Sequence, residues 1–92
     1  MVVPAVSRAA IVAEAARDHG LSREDLLNGG RQRRFAWARH DAAWRLAQVR
    51  RADGKRVWSY SQIAAAVGLK DHSSAMHGVA NWGRILDAER AL

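Results

Sequence analysis

A chain of 92 residues, 49% of them hydrophobic, suffices for one domain with a single modest core and excludes larger architectures. It has no cysteine, which rules out disulfides and thiolate metal sites and suits a reducing interior, and its net charge of +6 favours polyanionic partners. No run approaches the roughly 20 apolar residues of a membrane span, and Met1-Val2-Val3-Pro4-Ala5-Val6 is too short and weakly apolar for a secretory signal, so the expected location is cytoplasmic.

Ser7 is placed to cap a first helix running to about His19, with Ala10, Ile11 and Ala15 on its inward stripe and Val12 beside them. Gly20 stops that helix, and Leu21 closes the apolar side of the turn. Ser22-Arg23-Glu24-Asp25 resembles a capping box with aspartate in place of the usual Glu or Gln, and opens a short second helix carrying Leu26 and Leu27. Gly29-Gly30 after Asn28 ends it, since two glycines lose too much backbone freedom to continue a helix.

Arg31-Gln32-Arg33-Arg34 follows as a short basic loop, whose long cationic side chains suit phosphate contact or insertion into a minor groove. From about Phe35 to Arg51 nothing breaks a helix, and Phe35, Ala38, Ala42, Leu46 and Val49 recur at helical spacing along one face. Arg39, Arg45, Gln48 and Arg50 lie mostly off that face. Trp37 and Trp44 flank it, with packing at the core or its rim expected and stacking on single-stranded bases the alternative. Ala52-Asp53-Gly54 terminates this helix, and Lys55-Arg56 carries positive charge into the next loop. Between Arg31 and Arg56, Arg31, Arg33, Arg34, Arg39, Arg45, Arg50, Arg51, Lys55 and Arg56 face only Asp41 and Asp53, a local +7 that leaves −1 for the remainder. Such a block is the electrostatic footprint of a polyanion binder, because each neutralised phosphate releases condensed counterions; a solvated charged face is the alternative.

Ser59-Tyr60-Ser61-Gln62 is a full capping box, so a short helix is expected to about Val67, with Ile63, Ala64 and Val67 inward. Gly68 stops it, Leu69 fills the turn, and Lys70-Asp71-His72-Ser73-Ser74-Ala75-Met76-His77 opens a last helix. Met76, Val79, Trp82 or Gly83, and Leu86 are expected to face the core from it. Asp71 or Ser73 can cap its first turn, while His72, Ser73 and Ser74 put short donors and acceptors at the exposed end. The octamer alone is equally compatible with an ordinary capped helix, but two helices joined across Gly68-Leu69-Lys70 form a helix-turn-helix whose second helix is placed to enter a major groove.

No strand pattern, repeat or low-complexity tract occurs, so the expected fold is all-α: one domain over residues 1–92, with five or six helices, a helix-turn-helix and a basic loop. There is no GxxxxGK[ST] loop or GxGxxG turn, so no nucleotide or other cofactor is expected. His72 and His77 are spaced off the i, i+4 register of a metal-binding pair, and no carboxylate pair or nucleophile elbow accompanies them, so no metal and no enzymatic activity is expected. His77 is expected to pack between helices; His19 and His40 carry no chemical signal.

The order of parts resembles the C-terminal DNA-binding domain (domain IV) of the bacterial replication initiator DnaA, from roughly Ala10 to Ile85. The parts are a capped helix, Leu21-Ser22-x-x-Asp25-Leu26-Leu27, the basic loop, the long helix, Ser59-x-x-Gln62-Ile63-Ala64, Gly68 and the octamer. That family opens its recognition helix with Arg-Asp-His-Thr-Thr-Val-Leu-His, and six of these eight positions are identical or close in kind here. The resemblance implies that Asp71, His72, Ser73 and Ser74 approach base edges and phosphates in the major groove, and that Arg31 reaches the minor groove. It also sets Arg39 and His40 near the family's Arg-Gln pair at the start of the long helix, which contacts backbone and bases. Relative to the family, the long helix carries an additional residue before Leu46, and a few more stand before Ser59. Ser73 and Ser74 replace threonines, keeping the hydroxyls but losing methyl groups able to touch thymine methyls, so the target sequence is expected to differ from the family's box. Only Met1-Val2-Val3-Pro4-Ala5-Val6 precede the first helix, where the initiator has its ATP-binding module, so origin melting in the initiator's way is not expected.

Charge pattern and resemblance together give a candidate DNA-contacting set: Arg31, Arg33, Arg34, Arg39, His40, Ser61, Lys70, Asp71, His72, Ser73 and Ser74. The implied function is sequence-specific binding of double-stranded DNA as a transcription regulator on the nucleoid. One form of it is an activator of a phage-like or gene-transfer-agent gene cluster, working with a second polypeptide that engages RNA polymerase. Replication control by binding initiator boxes at an origin is the alternative. A single-strand or RNA binder using Trp37, Trp44, Trp58 and Tyr60 as stacking platforms is disfavoured, because these aromatics mostly fall at core spacing and no RRM, KH or OB pattern is present.

Overall fold

The computed structural model describes residues 7–30 and 32–91 and contains five helices: α1 (Arg8–Asp18), α2 (Arg23–Asn28), α3 (Arg33–Gln48), α4 (Tyr60–Val67) and α5 (His72–Arg90). Among these residues there is no strand, only an isolated antiparallel bridge between Arg50 and Arg56, so the fold is all-α as expected. No helix among them is long and apolar enough to cross a membrane.

The helices begin where local chemistry places them. The Ser7 hydroxyl accepts from the Ala10 amide at 3.3 Å. Ser22 and Asp25 close a box in both directions, at 3.0 and 3.2 Å, so the shorter aspartate reaches back as glutamate would. Ser59 and Gln62 do the same at 3.1 and 2.9 Å. The long helix ends at Gln48, short of the expected Arg51, because the chain turns out at Val49. The Val49 carbonyl then accepts from the Val57 amide at 3.2 Å, and the Arg51 amide donates to the Lys55 carbonyl at 2.8 Å. The resulting hairpin over residues 49–57 satisfies backbone groups that another helical turn would otherwise have used.

More than half of the buried apolar residues are alanines, which lets the helices approach closely around Val12, Leu26, Leu46, Ile63 and Val67. The inward phase differs from expectation on two helices. On α1, Val12, Ala15 and Ala16 are buried while Ala10 is exposed. On α5, Ala75 and Gly78 are buried, whereas Met76, expected inward, is 49% exposed. The cause lies across the interface: a Cβ on Gly78 would come within 2.8 Å of Cδ2 of His40, so α5 seats its smallest side on α3 and turns Met76 outward.

Asp41, 5% exposed, sits beneath the apolar layer at the α1–α3 contact. It receives the Arg45 guanidinium at 2.9 and 3.0 Å and lies 2.8 Å from Nε2 of His19, while Arg45 also donates to Asp18 at 2.8 Å. Burial alone would lower the Arg45 pKa, but hydrogen bonds to Asp41 and Asp18 outweigh it and raise it. One arginine of the basic block is thereby withdrawn into the fold.

Candidate nucleic-acid interface

The turn between α4 and α5 is set by backbone. Gly68 adopts φ 75°, in the left-handed region, and the amides of Gly68 and Leu69 both return to the Ala64 carbonyl. A Cβ at Gly68 would lie 3.0 Å from the Leu27 carbonyl oxygen, so glycine is favoured both by conformation and by close approach to the end of α2. The α4–turn–α5 unit is thus seated on the end of α2.

Asp71, rather than Ser73, caps α5: its Oδ1 accepts from the Ser74 amide at 2.9 Å. Hydrogen bonding from the Ser74 amide, then from its hydroxyl, holds the Asp71 carboxyl below the usual carboxylate range, aided by the charges of Lys70 and His72. The cap leaves His72 and Ser73 exposed at the helix start, with Ser74 half-buried and Lys70 exposed in the turn. One turn on, Met76 joins their face.

The cationic candidates divide by environment. Arg31 lies outside the described residues. Arg33 and Arg34, expected in the basic loop, instead form the exposed first turn of α3, which starts two residues earlier than the apolar spacing from Phe35 indicates; the Arg33 guanidinium stands 6.0 Å from the Trp37 ring centre, and Arg34 donates to the Gly20 carbonyl at 2.9 Å. Arg39 is engaged internally, donating to the Leu26 carbonyl at 2.7 Å and the Gly30 carbonyl at 2.8 Å, and so ties the end of α2 and the approach to the basic loop onto α3. His40 is half-buried against Gly78, and its Nδ1 lies 3.1 Å from Nδ2 of Asn81. Burial, then the charges of His77 and Arg39, hold the His40 pKa below its ordinary value, which keeps the ring neutral. With Asn81 donating to Nδ1, the neutral ring carries its proton on Nε2. His77 is exposed, with its ring edge-on to His40 at 6.2 Å.

His40 opposes Gly78 and Asn81, and Trp44 one turn later opposes Gly83, so α3 and α5 run in the same sense with their N-termini towards one end. That end gathers Lys70, Asp71, His72, Ser73 and Ser74 with Arg33 and Arg34. Arg39 and His40 lie beneath it, as braces between elements. Ser61, exposed in the first turn of α4, lies one α4 length away. Met76 escaped the sequence-based expectation because periodicity admits two adjacent phases; the small pair Ala75 and Gly78, three apart, is the signal that selects the observed one. Compared with known proteins, no family model, no curated sequence and no solved structure matches this chain.

Proposed function

We propose that this chain binds duplex DNA sequence-specifically and acts as a transcription regulator. The observation that carries it is the exposed start of α5, where His72, Ser73 and Met76 share a face beside the cationic start of α3. A helix end of this size fits the major groove of B-form DNA, about 12 Å wide. His72 and Ser73 offer hydrogen-bonding groups to base edges, and Met76 offers an apolar surface to thymine methyls, a contact that the threonine-to-serine departures would otherwise weaken. Arg33 and Arg34, with Arg31 two residues earlier in the sequence, supply phosphate contacts that position the helix without reading sequence. The resemblance of the octamer and its flanking parts to the DNA-binding domain of the initiator DnaA supports the same reading.

In this function the chain provides the address on DNA, and a second polypeptide that engages RNA polymerase provides the regulatory output. Mapping the bound sites across the genome tests it. Sites at promoters, with transcription changing when the gene is deleted, are the expected result. Sites clustered at an origin would replace transcription with replication control at initiator boxes, and the absence of any enriched duplex site would overturn both.

A further inference from the structure

We infer that the hairpin over residues 49–57 is a second phosphate clamp, which grips the DNA strand bordering the groove that α5 enters. The inference rests on the duplex-binding function proposed above and extends it to the hairpin, the stretch where a few residues additional to the family stand before Ser59.

Three observations carry it. First, the bridge pairs Arg50 with Arg56 in the arrangement flanked by the Arg51-to-Lys55 and Val57-to-Val49 hydrogen bonds, which is the closer, non-hydrogen-bonded kind of antiparallel pair. Like charges directly opposite one another oppose pairing, and an anion bound between them removes that conflict. Second, the hairpin borders an open cleft of about 500 Å³ lined by Arg50, Arg51, Lys55, Arg56 and Trp58. Asp53 is consumed internally, accepting from Arg51 at 2.8 Å and from the Lys55 amide at 3.0 Å. Among the described residues no carboxylate reaches Arg50, Lys55 or Arg56 within salt-bridge distance. The Arg56 guanidinium is fixed 4.0 Å from the Tyr60 ring centre, at the first residue of α4, with its Nε buried and without a hydrogen-bond partner.

Third, position relates the cleft to the reading helix. The hairpin joins α4 at its N-terminus and the Gly68 turn leaves α4 at its C-terminus, so α4, about 12 Å long for its eight residues, lies between the cleft and the turn that leads to α5. In a helix-turn-helix the first helix crosses the backbone beside the major groove, which is about 12 Å wide. With the end of α5 in the groove, the cleft meets the bordering phosphates.

The test uses Arg50→Ala with Lys55→Ala, two exposed side chains with no hydrogen-bonded partner among the described residues, in the full chain on a duplex carrying a mapped site. The slope of log affinity against log salt is expected to fall by about 1.8, two phosphate contacts at about 0.9 each, with discrimination against a scrambled duplex retained. Arg50→Lys with Lys55→Arg should keep the wild-type slope, and circular dichroism should show each variant fully helical. Shortening the duplex on the flank that the hairpin meets should abolish the difference between wild type and the alanine variant. An unchanged slope with wild-type specific binding would overturn the clamp and leave the proposed function standing, as would a loss seen only on single strands. Failure of the wild type to bind any duplex would overturn both.

Discussion

Asp71 is occupied by its capping bond, which separates a residue that holds α5 from His72 and Ser73, which stand exposed beside it. His72→Ala or Ser73→Ala should cost about 1–3 kcal/mol on a specific duplex and leave binding to a scrambled duplex nearly intact, as read by fluorescence anisotropy. Equal losses on both duplexes by a folded variant would show that this helix end does not specify sequence. Met76→Ala is expected to lower specific affinity by about 1 kcal/mol, the worth of a lost apolar contact, with little change in melting temperature because the side chain is half exposed. A fall of many degrees in melting temperature with affinity unchanged would return Met76 to the core. Gly78→Ala sets two effects against each other. Alanine gains about 1 kcal/mol in helix propensity, but its Cβ would lie 2.8 Å from a His40 ring pinned by Asn81, and such overpacking costs about 1–3 kcal/mol. A net loss of about 1 kcal/mol is expected from denaturant titration, and a gain would mean that the ring yields.

At the scale of elements, α3 is the beam on which the other helices are set, and its polar braces are open to test. Removing one partner of a buried charge network leaves the others unpaired, so Asp41→Ala is expected to destabilise the fold by about 3 kcal/mol in denaturant titration, through His19 and Arg45 together. A loss below about 1 kcal/mol would show that solvent replaces Asp41 without penalty. The α3–α5 contact is expected to be pH-sensitive. The His40 pKa is lowered in the folded chain from its ordinary 6.5, chiefly by burial, so below that value the unfolded chain binds more protons. Stability is therefore highest above pH 6.5 and declines as the pH falls through and below it. Melting temperatures should drop on mild acidification more steeply for wild type than for His40→Gln, and equal slopes would place the titration elsewhere.

At the scale of the whole molecule, the +7 block does not fold into one patch. Arg33 and Arg34 stand at one end of α3, Arg45 is neutralised within the fold, and Arg50, Lys55 and Arg56 sit past the other end, about 24 Å away along a helix of 16 residues. In the proposed function two separated cationic groups would serve phosphates at two places along the duplex, whereas one dense patch would serve a single stretch of backbone. Arg33→Ala should weaken specific and scrambled duplexes alike and lower the salt slope by about 0.9, the signature of a contact that positions but does not specify. A salt-independent affinity of the wild-type chain would remove the electrostatic basis for DNA binding altogether.

Local chemistry determined most of the elements. The serine caps, the boxes at Ser22 and Ser59, the glycine stops and the helical spacing of Phe35, Ala38, Ala42 and Leu46 act between near neighbours, so the sequence alone shows five or six helices, of which the fold has five, together with the turn at Gly68 and the exposed start of α5. Packing between distant residues decided the rest. Whether α5 buries Met76 or Gly78 depends on His40, far away in sequence, because an alanine-rich interface admits the phase that brings backbones closest. Whether an arginine is available to a ligand depends on what folding sets beside it: Arg39 meets the Leu26 and Gly30 carbonyls, Arg45 meets Asp41, and the Arg50 side chain meets none among the described residues. A count of charge along the chain treats those three alike, since it carries no information about the carbonyls and carboxylates that the tertiary fold delivers to each.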